Sequence, residues 1–320
     1  MSIMSKKEFA KYYFSLLKTS LKTFMFNLKH FGIKLAFFNM LGEFSILYII
    51  KNKSFAINLR KKQHEIIYKT LTEKYSDYIE EYKTKKIQPG ENSKIIWTFW
   101  AQGIDNAPEL VKKCIENIKI NSGKYELKIL TKDNFSQYTE LPKEIVENEN
   151  ISLAHFSDIL RMKLLSQYGG IWVDSTMFFT ENVFSEFDNT PFNSCFLNDN
   201  GWCIFFMGGK PNKLFSFVSD ILIEYNKEYD SFISYFLLDY LIEIAYNSFS
   251  ECREYVDNAT LKHPSVFYFI DNFSKTFNKE EFENMCDKYK FFKLSYKNSK
   301  NSPVYDENNN LTYFGYFSKL

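Results

Sequence analysis

The chain has 320 residues, 45% of them hydrophobic and 19% aromatic, with 34 Phe and 22 Tyr. That content supports a large core and excludes an intrinsically disordered chain. Lys plus Arg number 40 and Asp plus Glu 39, so the overall balance points to no partner and no nucleic acid is expected, but the distribution is uneven. Residues 1–62 hold eleven Lys, Arg60 and only two acids, Glu8 and Glu43, a net of +10, and the remainder carries −9. Such asymmetry suggests a basic arm facing an anionic surface.

Taken in chain order, residues 5–90 read as helical. On a wheel of about 100° per residue, Phe9, Tyr12, Tyr13, Leu16, Leu17, Leu21, Phe24 and Leu28 gather on one side, and Lys11, Lys18, Lys22 and Lys29 on the other. A basic amphipathic helix of this kind covers a domain or lies in the plane of an anionic lipid surface. Residues 31–50 are very apolar but are interrupted by Lys34, Asn39, Gly42 and Glu43. A membrane-spanning helix tolerates such breaks poorly, so the stretch is expected to be interfacial or packed. Residues 60–86 are charged and helical, and Pro89 and Gly90 mark a boundary between an arm over 1–90 and a domain over 91–320.

Strand and helix then alternate. Residues 94–100 form an apolar strand, 108–120 a helix and 125–130 a second strand, with a turn and short helix over 131–138. Residues 152–168 are a strong helix ended by Gly169 and Gly170, and 171–174 a short buried strand. Helices over 212–227 and 232–249, a strand over 291–294, a loop over 307–310 and an aromatic tail over 313–317 complete the chain. This alternation predicts an α/β fold with a parallel or mixed sheet flanked by helices. Gly208 and Gly209 read as a turn. The five cysteines, Cys114, Cys195, Cys203, Cys252 and Cys286, are scattered without a CxxC pair. They predict neither a disulfide framework nor a zinc site and fit a reducing cytosol. No signal peptide is evident.

The most informative window runs Ser157-Asp-Ile-Leu-Arg161, then Tyr168-Gly-Gly-Ile-Trp-Val-Asp174-Ser-Thr176. Asp158 and Arg161 are three apart and share a helix face. Two glycines let the backbone turn sharply, and a short apolar strand ends in Asp174. Ligands of open α/β sheets sit beyond the carboxyl ends of strands, so Asp174 is expected in a cleft near the Asp158–Arg161 pair. A nucleotide sugar there needs hard oxygen ligands for a divalent cation, hydroxyl acceptors and a flat side chain for the base. Trp97 and Trp100 close the first strand at the same edge.

With the segments Ile95-Ile-Trp-Thr-Phe-Trp-Ala-Gln-Gly103, Ala107-Pro-Glu-Leu-Val-Lys-Lys-Cys-Ile115, Ser234-Tyr-Phe-Leu-Leu-Asp239-Tyr and Phe291-Phe-Lys-Leu-Ser-Tyr-Lys297, this window resembles the capsular polysaccharide synthesis glycosyltransferases. These are relatives of retaining sugar transferases with an Asp-x-Asp motif on a GT-A fold. The resemblance implies a GT-A-like nucleotide-sugar-binding sheet with an N-terminal helical extension. It also implies a catalytic set of Asp158, Arg161 and Asp174. Asp158 and Arg161 would hold the donor sugar, with Gly169 and Gly170 beside it. Trp100 would stack on uracil or another base, and Lys293 would touch the diphosphate. Asp174 would open the metal and ribose motif, with Mn²⁺ or Mg²⁺ as cofactor. The second acid of that motif is here Thr176, a poorer metal ligand than a carboxylate. The implied reaction moves a sugar from a nucleoside diphosphate sugar to a lipid-linked glycan at the inner face of the cytoplasmic membrane. A sugar-phosphate transferase, or a non-enzymatic assembly component with a decayed site, are the other readings. His155 and His263 read as structural.

Overall fold

The computed structural model describes residues 6–46, 53–87, 90–198, 201–297 and 302–319. The side chains of 6–19 and 43–46 lie outside the description, as do residues 47–52 and Pro89. The amino-terminal half of the expected amphipathic helix and the end of the apolar stretch therefore fall outside it as well. In chain order the elements are α1 (Lys6–Ile46), α2 (Lys53–Lys74), α3 (Ser76–Thr84), β1 (Ile95–Phe99), α4 (Glu109–Asn121), β2 (Glu126–Leu130), α5 (Lys143–Val146) and α6 (Leu153–Tyr168). There follow β3 (Gly170–Val173), β4 (Met177–Phe179), β5 (Asn193–Asn198), β6 (Gly201–Gly209), α7 (Lys213–Glu228) and α8 (Leu237–Ser248). The last are α9 (Ser250–Asp257), α10 (Tyr268–Asp271), α11 (Lys279–Lys288), β7 (Phe291–Lys293) and α12 (Tyr313–Lys319).

The chain forms two compact units. The first comprises residues 1–86, 142–152 and 220–249, and the regular elements among its described residues are all helices. Within it α1 is broken at Gly32, whose φ of 85° is outside the helical region. Beyond the break Leu35, Ala36 and Asn39 are buried. The amides of Asn27 and Asn39 both donate to the Ile233 carbonyl, at 3.3 and 2.8 Å, satisfying a loop carbonyl with two buried side chains. The helix expected from residue 232 begins at Leu237 instead. Before it, the Ser234 hydroxyl accepts from the Phe236 N–H at 3.2 Å, a side-chain-to-backbone turn that competes with helix.

The second unit, residues 87–141, 153–219 and 250–320, holds a five-stranded mixed sheet in the order β2-β1-β3-β6-β5. β1 runs parallel to β2 and β3, and β6 runs antiparallel to β3 and β5. All four residues of the central strand β3, Gly-Ile-Trp-Val, are buried, as expected of a strand covered on both faces. Ile96, Ile171 and Val173 pack with Val111, Ile115 and Ile118 of α4 on one face. On the other face Phe99 meets Phe156 of α6, and Trp172 lies under Arg161 of α6. Period-two alternation places Trp172 and Asp174 on that same α6 side. β4 and β7 form a separate antiparallel pair with Met177 opposite Lys293.

Gly208 and Gly209 do not form a turn. Both belong to β6, with Gly208 paired to Ile171 and Gly209 to Gly170. A Cβ on Gly208 would stand 2.2 Å from the Gly170 carbonyl oxygen, so only glycine lets β6 pair this closely with β3. Their dipeptide carries the turn signal, and the long-range pairing that outweighs it is not a local property. The aromatic tail forms α12, burying Tyr313, Phe314 and Phe317 against β7 and α10.

Candidate functional site

The site begins with α6 and the strand that follows it. Leu165 O accepts from Gly169 N at 3.0 Å, ending the helix. Gly169 and Gly170 then take φ of 63° and 87°, and the chain turns directly into β3. Four residues later β3 ends and Asp174 follows. The helix lies back along the strand it feeds, so Arg161, two turns before the helix end, comes level with the strand's carboxyl end.

There four charges alternate in a row. Arg161 Nη1 is 3.1 Å from Asp158 Oδ1, and Nη2 donates to Asp174 Oδ1 at 3.2 Å. Trp172 Nε1 donates to the same oxygen at 3.0 Å, while its ring lies 4.9 Å from the guanidinium carbon. Asp174 Oδ2 accepts from Lys293 Nζ at 2.7 Å, and Lys293 also donates to Thr176 Oγ1 at 2.9 Å. The backbone ties these parts together: Asp174 N donates to Phe205 O, Leu294 N to Thr176 O and Lys293 N to Val266 O.

The Arg161 side chain is only 4% exposed, against 29% for Asp174, so the carboxylate sits at the mouth of the cluster and the guanidinium at its floor. Arg161 Nε has no hydrogen-bond partner among the described residues, and Nη1 meets Asp158 out of line. A buried guanidinium with spare N–H groups is costly and suits an incoming oxygen ligand. Burial works to raise the Asp174 carboxyl, but the charges of Lys293 and Arg161 and the hydrogen bonds from Lys293 and Trp172 hold it below its usual value. Asp174 is therefore a carboxylate at neutral pH, and the four charged groups sum to zero.

The expected site residues are distributed as follows. Asp158, Arg161, Asp174, Thr176 and Lys293 come together. Trp100 follows β1, which runs parallel and in register with β3, Trp97 beside Trp172. It therefore lies at the same sheet edge as Asp174, one strand spacing of about 4.8 Å to the side. Its ring meets Tyr296 edge-on at 5.1 Å, and its Nε1 has no partner among the described residues. Gly169 and Gly170 are not at this edge. They lie at the opposite end of β3, roughly 13 Å away along the strand. There a Cβ would meet Gly209 O at 2.5 Å and Ile95 O at 2.6 Å respectively. Their role is to close the turn, which is why the motif needs glycine there. Asp239 lies on α8 in the helical unit.

Sequence reasoning missed Trp172 and Tyr296. The signal for Trp172 was the two-residue spacing to Asp174; Tyr296 carried none. His263 is buried and stacks on Tyr289 with ring centroids 4.0 Å apart. Burial lowers its pKa to about 4. It sits in an aromatic core, in keeping with a structural role.

A divalent cation expected at Asp174 and Thr176 would find one carboxylate, with both oxygens engaged, and a hydroxyl held by Lys293. Among the described residues no three His, Cys, Asp or Glu side chains gather where they could share an ion. With Lys293 in place both donors are already engaged, and a metal ion would have to displace its ammonium and complete its shell from water and phosphate.

In this mixed α/β unit the four-charge cluster stands at a strand's carboxyl edge, the place where open α/β sheets hold their ligands. The family described as capsular polysaccharide synthesis protein matches residues 47–314. The chain belongs to that family, which ties it to capsular polysaccharide synthesis. No curated protein shows significant similarity to it.

Proposed function

We propose that this protein is a glycosyltransferase that moves a sugar from a nucleoside diphosphate sugar, UDP-linked in the first instance, to a lipid-linked oligosaccharide. The carrying observation is the Asp158–Arg161–Asp174–Lys293 row at the carboxyl end of β3. Its cations supply positive charge where the departing diphosphate becomes more negative, and its carboxylates keep them fixed before the donor arrives. The glycosidic C–O bond breaks with its electron pair remaining on the diphosphate. The acceptor oxygen bonds to the anomeric carbon, and the acceptor proton passes to the released nucleoside diphosphate. Donor and acceptor on one face give retention without a covalent enzyme intermediate. Trp100, beside the cluster at the same edge, is the side chain for the nucleotide base. We read the mixed sheet as GT-A-like on the same grounds.

The helical unit supplies the acceptor side of this reading. No described helix is long and apolar enough to cross a membrane. On α1, however, Leu21 and Met25 are 53% and 60% exposed, and Leu28 shares their side of the helix. The exposed Lys22 and Lys29 flank this stripe, and Phe26 and Asn27 are buried on other sides. An apolar stripe edged with lysine matches an anionic lipid surface, where the lipid-linked acceptor resides. This fits a peripheral location on the inner face of the cytoplasmic membrane.

The deciding experiment incubates the full chain with a panel of nucleoside diphosphate sugars and a lipid-linked acceptor. Nucleoside diphosphate release and product mass are followed. Release that disappears in Asp174→Asn, with a product heavier by one sugar, supports the proposal. A product that also gains phosphate points to a sugar-phosphate transferase. Release unchanged by Asp174→Asn overturns the assignment of the site.

A further inference from the structure

Lys293 lies between the two side chains that the Asp-x-Asp resemblance assigns to a metal ion. Its Nζ bridges Asp174 Oδ2 at 2.7 Å and Thr176 Oγ1 at 2.9 Å, the first and third residues of the Asp174-Ser-Thr176 segment. Mg²⁺ is held at about 2.0–2.1 Å by one or two carboxylates with waters and phosphates completing its shell, and here both oxygens of the one carboxylate and the Thr176 hydroxyl are already engaged. An ammonium and a divalent cation both packed against one carboxylate oxygen would repel each other strongly in so enclosed a place. The chemistry of the position thus favours an amine over an ion.

We propose that Lys293 Nζ is the built-in cation of this site, receiving the donor's diphosphate in place of a divalent metal ion, so that transfer proceeds without one. The inference rests on the nucleotide-sugar reading above. An ammonium has three N–H donors. Two are taken by Asp174 and Thr176, and among the described residues no third acceptor meets the last. That N–H is directed to a phosphate oxygen. Arg161, with Nε unpartnered among the described residues, supplies the second cationic contact. When the bond from the anomeric carbon to the phosphate oxygen breaks, the electron pair stays on the diphosphate between these two groups. The proton leaving the acceptor hydroxyl neutralises part of that charge. Thr176 has a positive use in this arrangement: a hydroxyl accepts from the lysine and orients it, whereas a second carboxylate would neutralise it. The stem of Lys293 is held by β7 pairing opposite Met177, and its Nζ lies 5.3 Å from the Phe205 ring. The charge is therefore positioned in advance.

The test is titration of UDP and GDP into the full-length chain by calorimetry, in EDTA and in Mn²⁺, for the wild type, Lys293→Met and Lys293→Arg. We expect wild-type affinity to be the same in EDTA and Mn²⁺. Lys293→Met should weaken it roughly ten-fold or more without rescue by Mn²⁺, and Lys293→Arg should retain most of it. Combining Lys293→Met with Thr176→Asp restores two carboxylates and removes the amine. That double variant is expected to bind UDP only when Mn²⁺ is present. Wild-type affinity that collapses in EDTA and returns with Mn²⁺ overturns the role of Lys293 and leaves the transferase reading intact. Undiminished binding by Lys293→Met does the same. Absence of nucleotide binding in every condition overturns both. Should Lys293→Met fail to fold, judged by its thermal melt, the wild-type comparison in EDTA and Mn²⁺ decides.

Discussion

Arg161 holds the charged row together, because its guanidinium touches both Asp158 and Asp174. Removing it takes away the buried cation between Asp158 and Asp174, at a cost on the order of 3–5 kcal/mol. Arg161→Lys is the sharper probe. One ammonium on a shorter reach cannot span Asp158 and Asp174 as the planar guanidinium does. Donor turnover should fall on the order of 100-fold while the thermal melt moves by only a few degrees. Turnover within a few-fold of wild type would show that bridging geometry is unimportant. His263 makes a separate prediction. Its folded pKa of about 4 lies below its usual value of 6.5, so the unfolded chain binds the extra proton first as pH falls. Its neutral form contributes fully above pH 6.5, and that stability is lost between pH 6.5 and 4. Asp174, whose pKa is lowered, adds a loss that begins at the ordinary carboxylate pKa and continues below it. Urea melts at pH 7 and pH 5 should therefore diverge more for wild type than for His263→Phe; equal divergence removes His263 from the explanation.

At the scale of elements, β3 carries the site and glycine determines how closely its neighbours approach. Gly208 faces the Gly170 carbonyl, and Ile171 Cα lies 2.8 Å from where its Cβ would be. Gly208→Ala must separate β6 from β3 along the register that brings Val173 beside Phe206. Because Asp174 N also donates to Phe205 O at 2.9 Å, that separation reaches the Asp174 carboxylate. The expected cost is on the order of 2–3 kcal/mol together with reduced nucleotide affinity. Chemical denaturation and UDP titration of the same variant measure both, and a neutral substitution would show that the sheet relaxes there. The helices α4 and α6, with their unbroken apolar periods, lie within a residue or two of their expected places. The β5–β6 pair was not expected. Its strands mix Asn, Ser, Cys and Gly with apolar residues, and its register shifts near Ser194 and near Phe196. A strand that bulges does not keep a period of two.

Across the whole molecule, charge is divided along the chain, +10 over residues 1–62 and −9 beyond. An anionic surface should therefore attract one segment and repel the remainder. Binding to vesicles containing anionic lipid is expected to weaken steeply as salt rises, since the Debye length falls from about 10 Å at 0.1 M to about 3 Å at 1 M. Substituting Leu21→Asp with Met25→Asp should weaken it further at every salt concentration. Flotation that is insensitive to both salt and substitution removes the lipid surface as the partner of α1. The sequence alone determined what depends on near neighbours. It set the helix that places Asp158 and Arg161 on one face, the glycines that end it and the short apolar strand that delivers Asp174. These are properties of backbone geometry and side-chain period. It did not determine that Lys293, 119 residues after Asp174, would bridge Asp174 and Thr176. Nor did it reveal that Gly169 and Gly170 pack against the Gly209 and Ile95 carbonyls, or that Gly208 belongs to a strand. Those outcomes depend on which strands pair and in what register, and that is decided only when distant segments compete to bury the same apolar surface.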